Sequence, residues 1–255
     1  MKQNKTKAKL KAGETVLGCF VRYPDAALIE VLGYYGWDFL VFDAEHGTIE
    51  ARHCENMVRA AELQDVTPIV RVTTNQAPVI LRLMDTGAQG LHIPMINSLP
   101  DAQAAVASVK YHPCGGRGLA GVRASDYGQA GSYADYCATA NAETLIAAHI
   151  ETGKAVDHLP DIVKVQDLDV IFIGPTDLSH SLGFPGQVQH PEVQKTMDRI
   201  AEIVAGSDKF LGIMVGDAQA AREWHKRGAR YITVAFESVL GPACRSYLEA
   251  ARPTI

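Results

Sequence analysis

The segment PIVRVTTNQAPVILRLMDTGAQGLHIP, residues 68–94, contains one complete strand–helix–strand unit. Its two ends, Pro68–Val72 and Gly90–Pro94, are short continuous apolar runs, which is typical of parallel strands buried on both faces. Between them, Val79–Met84 has apolar residues at helical spacing, and it follows Pro78, a residue that the first turn of a helix accepts. The segment therefore predicts a parallel β–α–β unit.

The same alternation continues on both sides of this unit. Eight apolar runs are predicted as strands: Val16–Val21, Phe39–Phe42, Pro68–Val72, Gly90–Pro94, Leu145–Ile150, Val170–Ile173, Phe210–Val215 and Tyr231–Ala235. Further helical patterns lie at Cys54–Leu63, Asp101–Val109, Pro191–Val204 and Ala218–Lys226. Eight strand–helix units in 255 residues predict a single α/β domain, residues 1–255, folded as a (β/α)8 TIM barrel. A doubly wound open sheet is the alternative.

Two segments fall outside this pattern. Residues 1–13 are rich in lysine and have no apolar stretch, so we expect a solvated N-terminal arm or a short helix. Residues 111–142 show no clean periodicity. A loop of that length in a compact domain usually has a functional or an interface role.

Composition limits the function further. Hydrophobic residues make up 47% of the chain and charged residues 21%, which is typical of a globular protein and excludes disorder for most of it. A net charge of −5 argues against binding to nucleic acid, and no apolar run is long enough for a transmembrane helix. The five cysteines are widely spaced without a CxxC pair, which favours reduced thiols and a cytoplasmic location.

Charged residues follow four of the predicted strands at their carboxyl ends. Asp43, Glu45 and His46 follow the second strand, Arg71 closes the third, Glu151 closes the fifth, and Asp177 follows the sixth. Each one alone has an ordinary explanation, since carboxylates often cap helices and single histidines are usually structural. In a barrel, however, all of these strand ends meet at the rim that carries the active site.

The residue types predict a specific chemistry at that rim. Glu151 and Asp177 offer the hard oxygen ligands that Mg²⁺ or Mn²⁺ prefers, with positions left for substrate and water. Asp43 and His46 have the type and spacing of a base with an orienting carboxylate, and Arg71 can stabilise an oxyanion. In the run GPTDLS, Gly174, Pro175 and Thr176 form a turn whose backbone N–H groups are suited to a substrate carboxylate.

Six stretches resemble the HpcH/HpaI aldolase family, the metal-dependent class II pyruvate aldolases. They are DFLVFDAEHG (38–47), PIVRV (68–72), LMDTGAQGLHIPMI (83–96), YHPCGGRG (111–118), HIETGKAV (149–156) and IFIGPTDLSHSLG (171–183). The resemblance implies a barrel with an extra, exchanged C-terminal helix in a homo-oligomer, often a hexamer. It also implies Glu151 and Asp177 as ligands of Mg, Mn or Co, an Asp43–His46 base, Arg71 as enolate stabiliser and Asp85 in a supporting role.

The chain departs from the family's usual pattern at three places. His149 stands where many relatives have a substrate-contacting glutamine, His92 where they have an apolar residue, and Phe236–Ser238 where they have glycine and aspartate. Side chains on a strand alternate, so His149 should face the same side as Glu151. We therefore expect His149 to contact the keto acid and to add a pH-dependent charge.

These observations predict a lyase that reversibly cleaves a 4-hydroxy-2-oxo acid into pyruvate and an aldehyde. One alternative is a citrate-lyase-like enzyme acting on a larger acid or a CoA thioester; another is a keto-acid-binding barrel without turnover. The glycines of GRGLAG (116–121) follow no strand, which argues against a dinucleotide site. Neither Lys154 nor Lys209 is placed at a strand end for an imine mechanism.

Overall fold

The computed structural model describes residues 1–252, and its centre is a closed barrel of eight parallel strands in sequence order. The strands are β1 Val16–Val21, β2 Phe39–Asp43, β3 Thr67–Arg71, β4 Gly90–Ile93, β5 Leu145–Ile150, β6 Val170–Ile173, β7 Phe210–Val215 and β8 Tyr231–Ala235. Pairing of β8 with β1 closes the barrel. The predicted (β/α)8 fold is therefore confirmed, and the open doubly wound sheet is excluded.

Helices alternate with the strands around the outside of the barrel. They are α1 Lys5–Lys11, α2 Ala26–Gly33, α3 Ala51–Leu63, α4 Ala77–Met84, α5 Leu99–Val109, α6 Tyr133–Glu143, α7 Gly153–Ile162, α8 Pro175–Ser181, α9 Pro191–Ala205, α10 Ala218–Lys226 and α11 Phe236–Ala251. None of the helices in residues 1–252 has both the length and the apolar character needed to cross a membrane.

The strands are apolar on both faces because each face has its own core. One set of side chains fills the barrel interior, where Phe39 stacks on Tyr231 with ring centroids 4.2 Å apart. The other set packs between the strands and the helices. Gly18 is required for the inner packing, since a Cβ at this position would lie 2.1 Å from the ring of Phe39.

The N-terminal segment is not a solvated arm, although it does contain a short helix. Leu10 of α1 is buried in the inner core. Thr6 bonds the hydroxyl of Thr67 at 2.8 Å, and Lys7 pairs with Asp169 at 2.9 Å. The sequence obscured this role because the buried face of α1 is largely polar, and its polar groups are satisfied by the strand ends.

The long segment 111–142 is also more ordered than predicted. It contains a 3-10 segment, Arg123–Gly128, and most of α6. Helix α6 was missed because only Tyr136 and Ala140 on it are buried, which makes no apolar stripe. The segment joins the end of α5 to the start of β5, so it lies at the amino end of the barrel, away from the rim. It therefore cannot line the active site of its own chain.

The extra C-terminal helix is present; it directly follows β8 and contacts β8 and β1. Within the described chain no residue of α11 is buried, and Val239, Leu240, Tyr247 and Leu248 are exposed apolar side chains. The C-terminal helix was predicted as an element exchanged between subunits; residues 253–255 lie outside the described residues.

Candidate active site

Asp43 and Arg71 form a buried ion pair at the carboxyl ends of β2 and β3, where the two residues are partners in the strand register. The Arg71 guanidinium donates from Nε to Asp43 Oδ1 at 2.8 Å and from Nη2 to Oδ2 at 2.5 Å. Its Nη1 lies 3.1 Å from Glu45 Oε2. Burial acts to raise the pKa of Asp43, but the hydrogen bonds and charge of Arg71 outweigh it, and the pKa is lowered. The pair therefore stays ionised.

The predicted side-chain contact between Asp43 and His46 is not formed. Asp43 Oδ1 instead accepts the backbone N–H groups of Glu45 at 3.1 Å and His46 at 3.2 Å, in addition to Arg71. The His46 side chain is 58% exposed, and its Nε2 lies 3.9 Å from Glu45 Oε2. Both oxygens of Asp43 are already engaged, so this carboxylate orients the loop that carries His46 and not the imidazole itself.

Glu151 is a buried carboxylate that is held at both oxygens. Oε1 accepts the backbone N–H of Met95 at 2.8 Å, and Oε2 lies 3.2 Å from His149 Nδ1. Burial acts to raise the pKa of Glu151, but His149, the Met95 N–H and the charge of Arg71 outweigh it and lower the pKa. Glu151 is therefore an anion, and among residues 1–252 it has no ion pair with a lysine or arginine.

Asp177 stands on the next strand end, as the third residue of α8, and is exposed. Gly174 comes between β6 and α8, and a Cβ on it would lie 2.7 Å from Glu151 Oε2. Glycine at this position therefore lets the start of α8 approach the Glu151 carboxylate closely. Pro175 and Thr176 form the first turn of the helix α8, where the sequence predicted a turn only.

The donor set at this rim fits a divalent cation. Glu151 is anionic, and Asp177 adds a second carboxylate from the adjacent strand end. Within residues 1–252 no cluster of three or more His, Cys, Asp or Glu side chains could hold a metal ion. Two protein ligands leave most coordination positions to water or substrate, which is how Mg²⁺ is usually held.

Two predicted site residues have a different role in the structure. His149 is buried with both ring nitrogens engaged, Nδ1 at Glu151 and Nε2 at His92, so neither nitrogen is free to contact a keto acid. Asp85 ends α4, which runs from the rim to the amino end of the barrel, where it pairs with Arg117 at 2.7 Å. Asp85 therefore lies away from the rim of its own chain, at the amino end of the barrel.

Two rim residues were missed or given no role. Glu45 lies beside Arg71, and burial, followed by the charge of Glu151, raises its pKa against the opposing effect of Arg71. Arg22 directly follows β1, with Nε 3.4 Å from Asp43 and Nη1 3.4 Å from Glu237. The rule that singled out Arg71, a charge at a strand's carboxyl end, applies equally to Arg22.

Comparison with known proteins gives consistent matches over nearly the whole chain. Residues 16–241 match the profile of the HpcH/HpaI aldolase/citrate lyase family. A hydroxypyruvate/pyruvate aldolase of Roseobacter denitrificans is 34% identical over 236 residues, 92% of this chain and 91% of that protein. A 4-hydroxy-2-oxo-heptane-1,7-dioate aldolase of Escherichia coli is 32% identical over 240 residues, 93% of this chain and 90% of that protein.

A solved structure shows the same agreement in three dimensions. A protein of the same family from Burkholderia cenocepacia superposes with a TM-score of 0.93 at 32% identity, covering 98% of this chain and all of that chain. The match therefore extends over the barrel, its rim and the described part of the C-terminal helix.

Proposed function

Because the chain belongs to the HpcH/HpaI aldolase/citrate lyase family, we propose that it is a class II pyruvate aldolase. It is a carbon–carbon lyase, and its reaction is the reversible cleavage of a 4-hydroxy-2-oxo acid into pyruvate and an aldehyde. The observation that carries this proposal is the rim itself. An anionic Glu151 follows β5, Asp177 follows β6 as the third residue of α8, and an Arg71 fixed by Asp43 ends β3.

Glu151 and Asp177 are the residues that would hold a divalent cation, Mg²⁺, Mn²⁺ or Co²⁺. When bound, such an ion supplies Lewis-acid polarisation of the keto group and of the enolate formed from it. The backbone N–H groups that follow Gly174 and Pro175, at Thr176 and Asp177, are suited to the substrate carboxylate.

Arg71 and His46 carry the proposed chemistry. Each terminal nitrogen of a guanidinium has two N–H groups, and the contacts with Asp43 and Glu45 leave one on each for a substrate oxygen. In the cleavage direction, the His46 imidazole accepts the proton of the C4 hydroxyl. The C3–C4 bond then breaks, its electron pair enters the pyruvate enolate, C4 leaves as the aldehyde, and protonation of C3 gives pyruvate.

We also propose that the protein is a homo-oligomer, specifically a hexamer, in which α11 packs on a neighbouring subunit. A barrel closes its own sheet, so contacts between subunits must come from helices and loops. Helix α11 exposes Val239, Leu240 and Tyr247, and segment 111–142 exposes Leu119 and Tyr133. Light scattering at micromolar concentration tests this, and a monomer would contradict it. The five cysteines are free in the structure, which supports the proposed cytoplasmic location.

Pyruvate release from a panel of 4-hydroxy-2-oxo acids, followed with a coupled dehydrogenase, tests the proposed reaction. We expect EDTA to abolish turnover and Mg²⁺, Mn²⁺ or Co²⁺ to restore it. Glu151→Ala and Asp177→Ala should each lose most activity and remain folded, because rim residues contribute little to the core. The matched control is Asp198→Ala, which removes a carboxylate from the outer face of α9 and should keep full activity.

The alternatives give different results in the same assay. Full activity in excess EDTA together with inactivation by borohydride and pyruvate would show an imine mechanism. Release of a product other than pyruvate from larger acids or CoA thioesters would show a citrate-lyase-like reaction. Binding of pyruvate without turnover of any substrate would show a keto-acid-binding barrel.

A further inference from the structure

A chain of four buried polar side chains crosses the barrel interior and ends at Glu151. The hydroxyl of Tyr231 on β8 lies 2.7 Å from His92 Nε2, and His92 Nδ1 on β4 lies 2.8 Å from His149 Nε2. His149 Nδ1 on β5 lies 3.2 Å from Glu151 Oε2. All four residues are at most 4% exposed. The proposed reaction assigns no role to Tyr231 or His92.

Aromatic rings surround the two histidines and exclude water from the chain. Phe172 stacks on the His149 ring at 4.7 Å and meets the His92 ring edge-on at the same centroid distance. Phe20 meets His92 edge-on at 5.2 Å. In such a site every N–H and O–H group must donate to another of these four side chains, since an unsatisfied buried donor costs about 1–3 kcal/mol.

This requirement sets the direction of the first hydrogen bond. The hydroxyl of Tyr231 is wholly buried, and burial raises its pKa well above the ordinary value, so the proton stays on the oxygen. Among residues 1–252 His92 Nε2 is its one hydrogen-bond partner. If His92 were the donor, the Tyr231 O–H would have no acceptor. Tyr231 therefore donates to His92 Nε2.

The direction of the bond from Tyr231 to His92 then sets the direction of the next two hydrogen bonds. Burial above all, with the charge of Arg71, lowers the pKa of His92 well below its ordinary value, so its ring is neutral. With Nε2 accepting, the single N–H of His92 is on Nδ1 and donates to His149 Nε2. His149 is left with its proton on Nδ1, directed at Glu151 Oε2.

We propose that Tyr231 and His92 are positioning residues that hold His149 as its Nδ1–H tautomer, and that His149 thereby fixes the Glu151 carboxylate for cation binding. With the Met95 N–H on the other oxygen, Glu151 is anchored by two neutral donors and keeps its full negative charge. In the opposite tautomer, a lone pair of His149 would face the carboxylate and repel it. The part of this proposal that concerns a cation at Glu151 rests on the proposed function, whereas the part that concerns the histidine tautomers does not.

The tautomers are measured directly in the metal-free protein. Two-bond ¹H–¹⁵N correlation of ¹⁵N-histidine-labelled protein distinguishes Nδ1–H from Nε2–H rings, and variants at positions 92 and 149 assign the two signals among nine histidines. We expect the rings of His92 and His149 each to carry their proton on Nδ1. An Nε2–H ring at either position in the parent protein would overturn the proposal and leave the aldolase reaction untouched.

Tyr231→Phe removes the one hydroxyl that sets the direction and keeps the ring stacked on Phe39. We expect the His149 signal to lose its pure Nδ1–H pattern and the dissociation constant for Mn²⁺, measured by electron paramagnetic resonance, to rise about tenfold, the usual cost of losing an outer-shell partner. The matched control is Tyr136→Phe, which removes a buried hydroxyl that bonds Tyr111 at the other end of the barrel. This control should leave both measurements unchanged.

A double-mutant cycle separates positioning from simple packing. A glutamine at position 149 carries its own N–H donor and needs no neighbour to set a tautomer, so Tyr231→Phe should have little further effect on Mn²⁺ binding in a His149→Gln background. An equal loss of affinity in both backgrounds would show a packing effect and refute the proposal. If both histidines show the expected tautomers but the protein releases no pyruvate from any substrate, only the proposed function is refuted.

Discussion

Gly174→Ala should displace the Glu151 carboxylate without straining the backbone. The φ angle of Gly174 is −96°, which alanine adopts freely. A Cβ at this position would lie 2.7 Å from Glu151 Oε2 and 3.1 Å from Glu151 Cβ. Because ordinary contacts of a Cβ begin at 3.4 Å, the carboxylate oxygen must move by about 0.7 Å. That movement is away from the position in which His149 and Met95 hold it.

The size of the effect follows from this displacement. Catalytic groups need placement within about 0.5 Å, and a shift of about 1 Å costs about 100-fold in rate. We therefore expect kcat/KM for pyruvate release to fall by about 10- to 100-fold, and the Mn²⁺ dissociation constant to rise in parallel. The free energy of unfolding should fall by only about 1 kcal/mol, the contribution of one weakened hydrogen bond.

The assay compares kcat/KM, Mn²⁺ binding and urea unfolding for the parent, Gly174→Ala and Gly216→Ala. Gly216 follows β7 at the same rim, and a Cβ there would have open space around it. The control should therefore match the parent in all three measurements. If Gly174→Ala keeps kcat/KM and Mn²⁺ affinity within twofold of the parent, the position of Glu151 does not matter for function and the reasoning is refuted.

Three further changes test the site and the barrel. His46→Ala should lower kcat by about 10²–10⁴-fold at unchanged Mn²⁺ affinity and stability, since the side chain is 58% exposed; a change below fivefold would place the base elsewhere. Asp43→Asn leaves Arg71 buried with a weaker partner and should cost about 3 kcal/mol in urea unfolding at pH 7. The pKa of Asp43 is lowered from 3.8, so the stability difference between the parent and Asp43→Asn is present above pH 3.8 and is lost as the pH falls through the lowered pKa. A stability difference that does not change with pH would contradict this reasoning. Burial, with the charge of Lys7, lowers the pKa of Lys110 from 10.5 to about 8, so between these values the unfolded chain binds more protons. The unfolding free energy of the parent relative to Lys110→Met should therefore rise by about 1.4 kcal/mol per pH unit across that window, and a flat difference would refute the shift.

The strands could be predicted closely because both of their faces are buried. A strand such as Leu145–Ile150 has no polar alternation, and its bounds in the structure are those of its apolar run. Helices with a strong apolar stripe were also predicted closely: Pro191–Val204 was expected, and α9 runs from Pro191 to Ala205 with Val193, Met197, Ile200 and Val204 buried. Helix α6 and the buried face of α1 were missed, because each is stabilised by a few contacts that leave no periodic signal in the chain.

The sequence alone determined that charged residues stand at the carboxyl ends of the strands, and the closed barrel brings them to one rim. It could not determine which of them pair, because pairing depends on distances between strands that are far apart along the chain. The tertiary structure places Asp43 against Arg71 and not against the imidazole of His46. It turns His149 toward His92, 57 residues earlier, and places Asp85 at the opposite end of the barrel. The local sequence pattern indicates which face of a strand or helix a residue occupies, whereas its hydrogen-bond partners are set by the register and closure of the whole sheet.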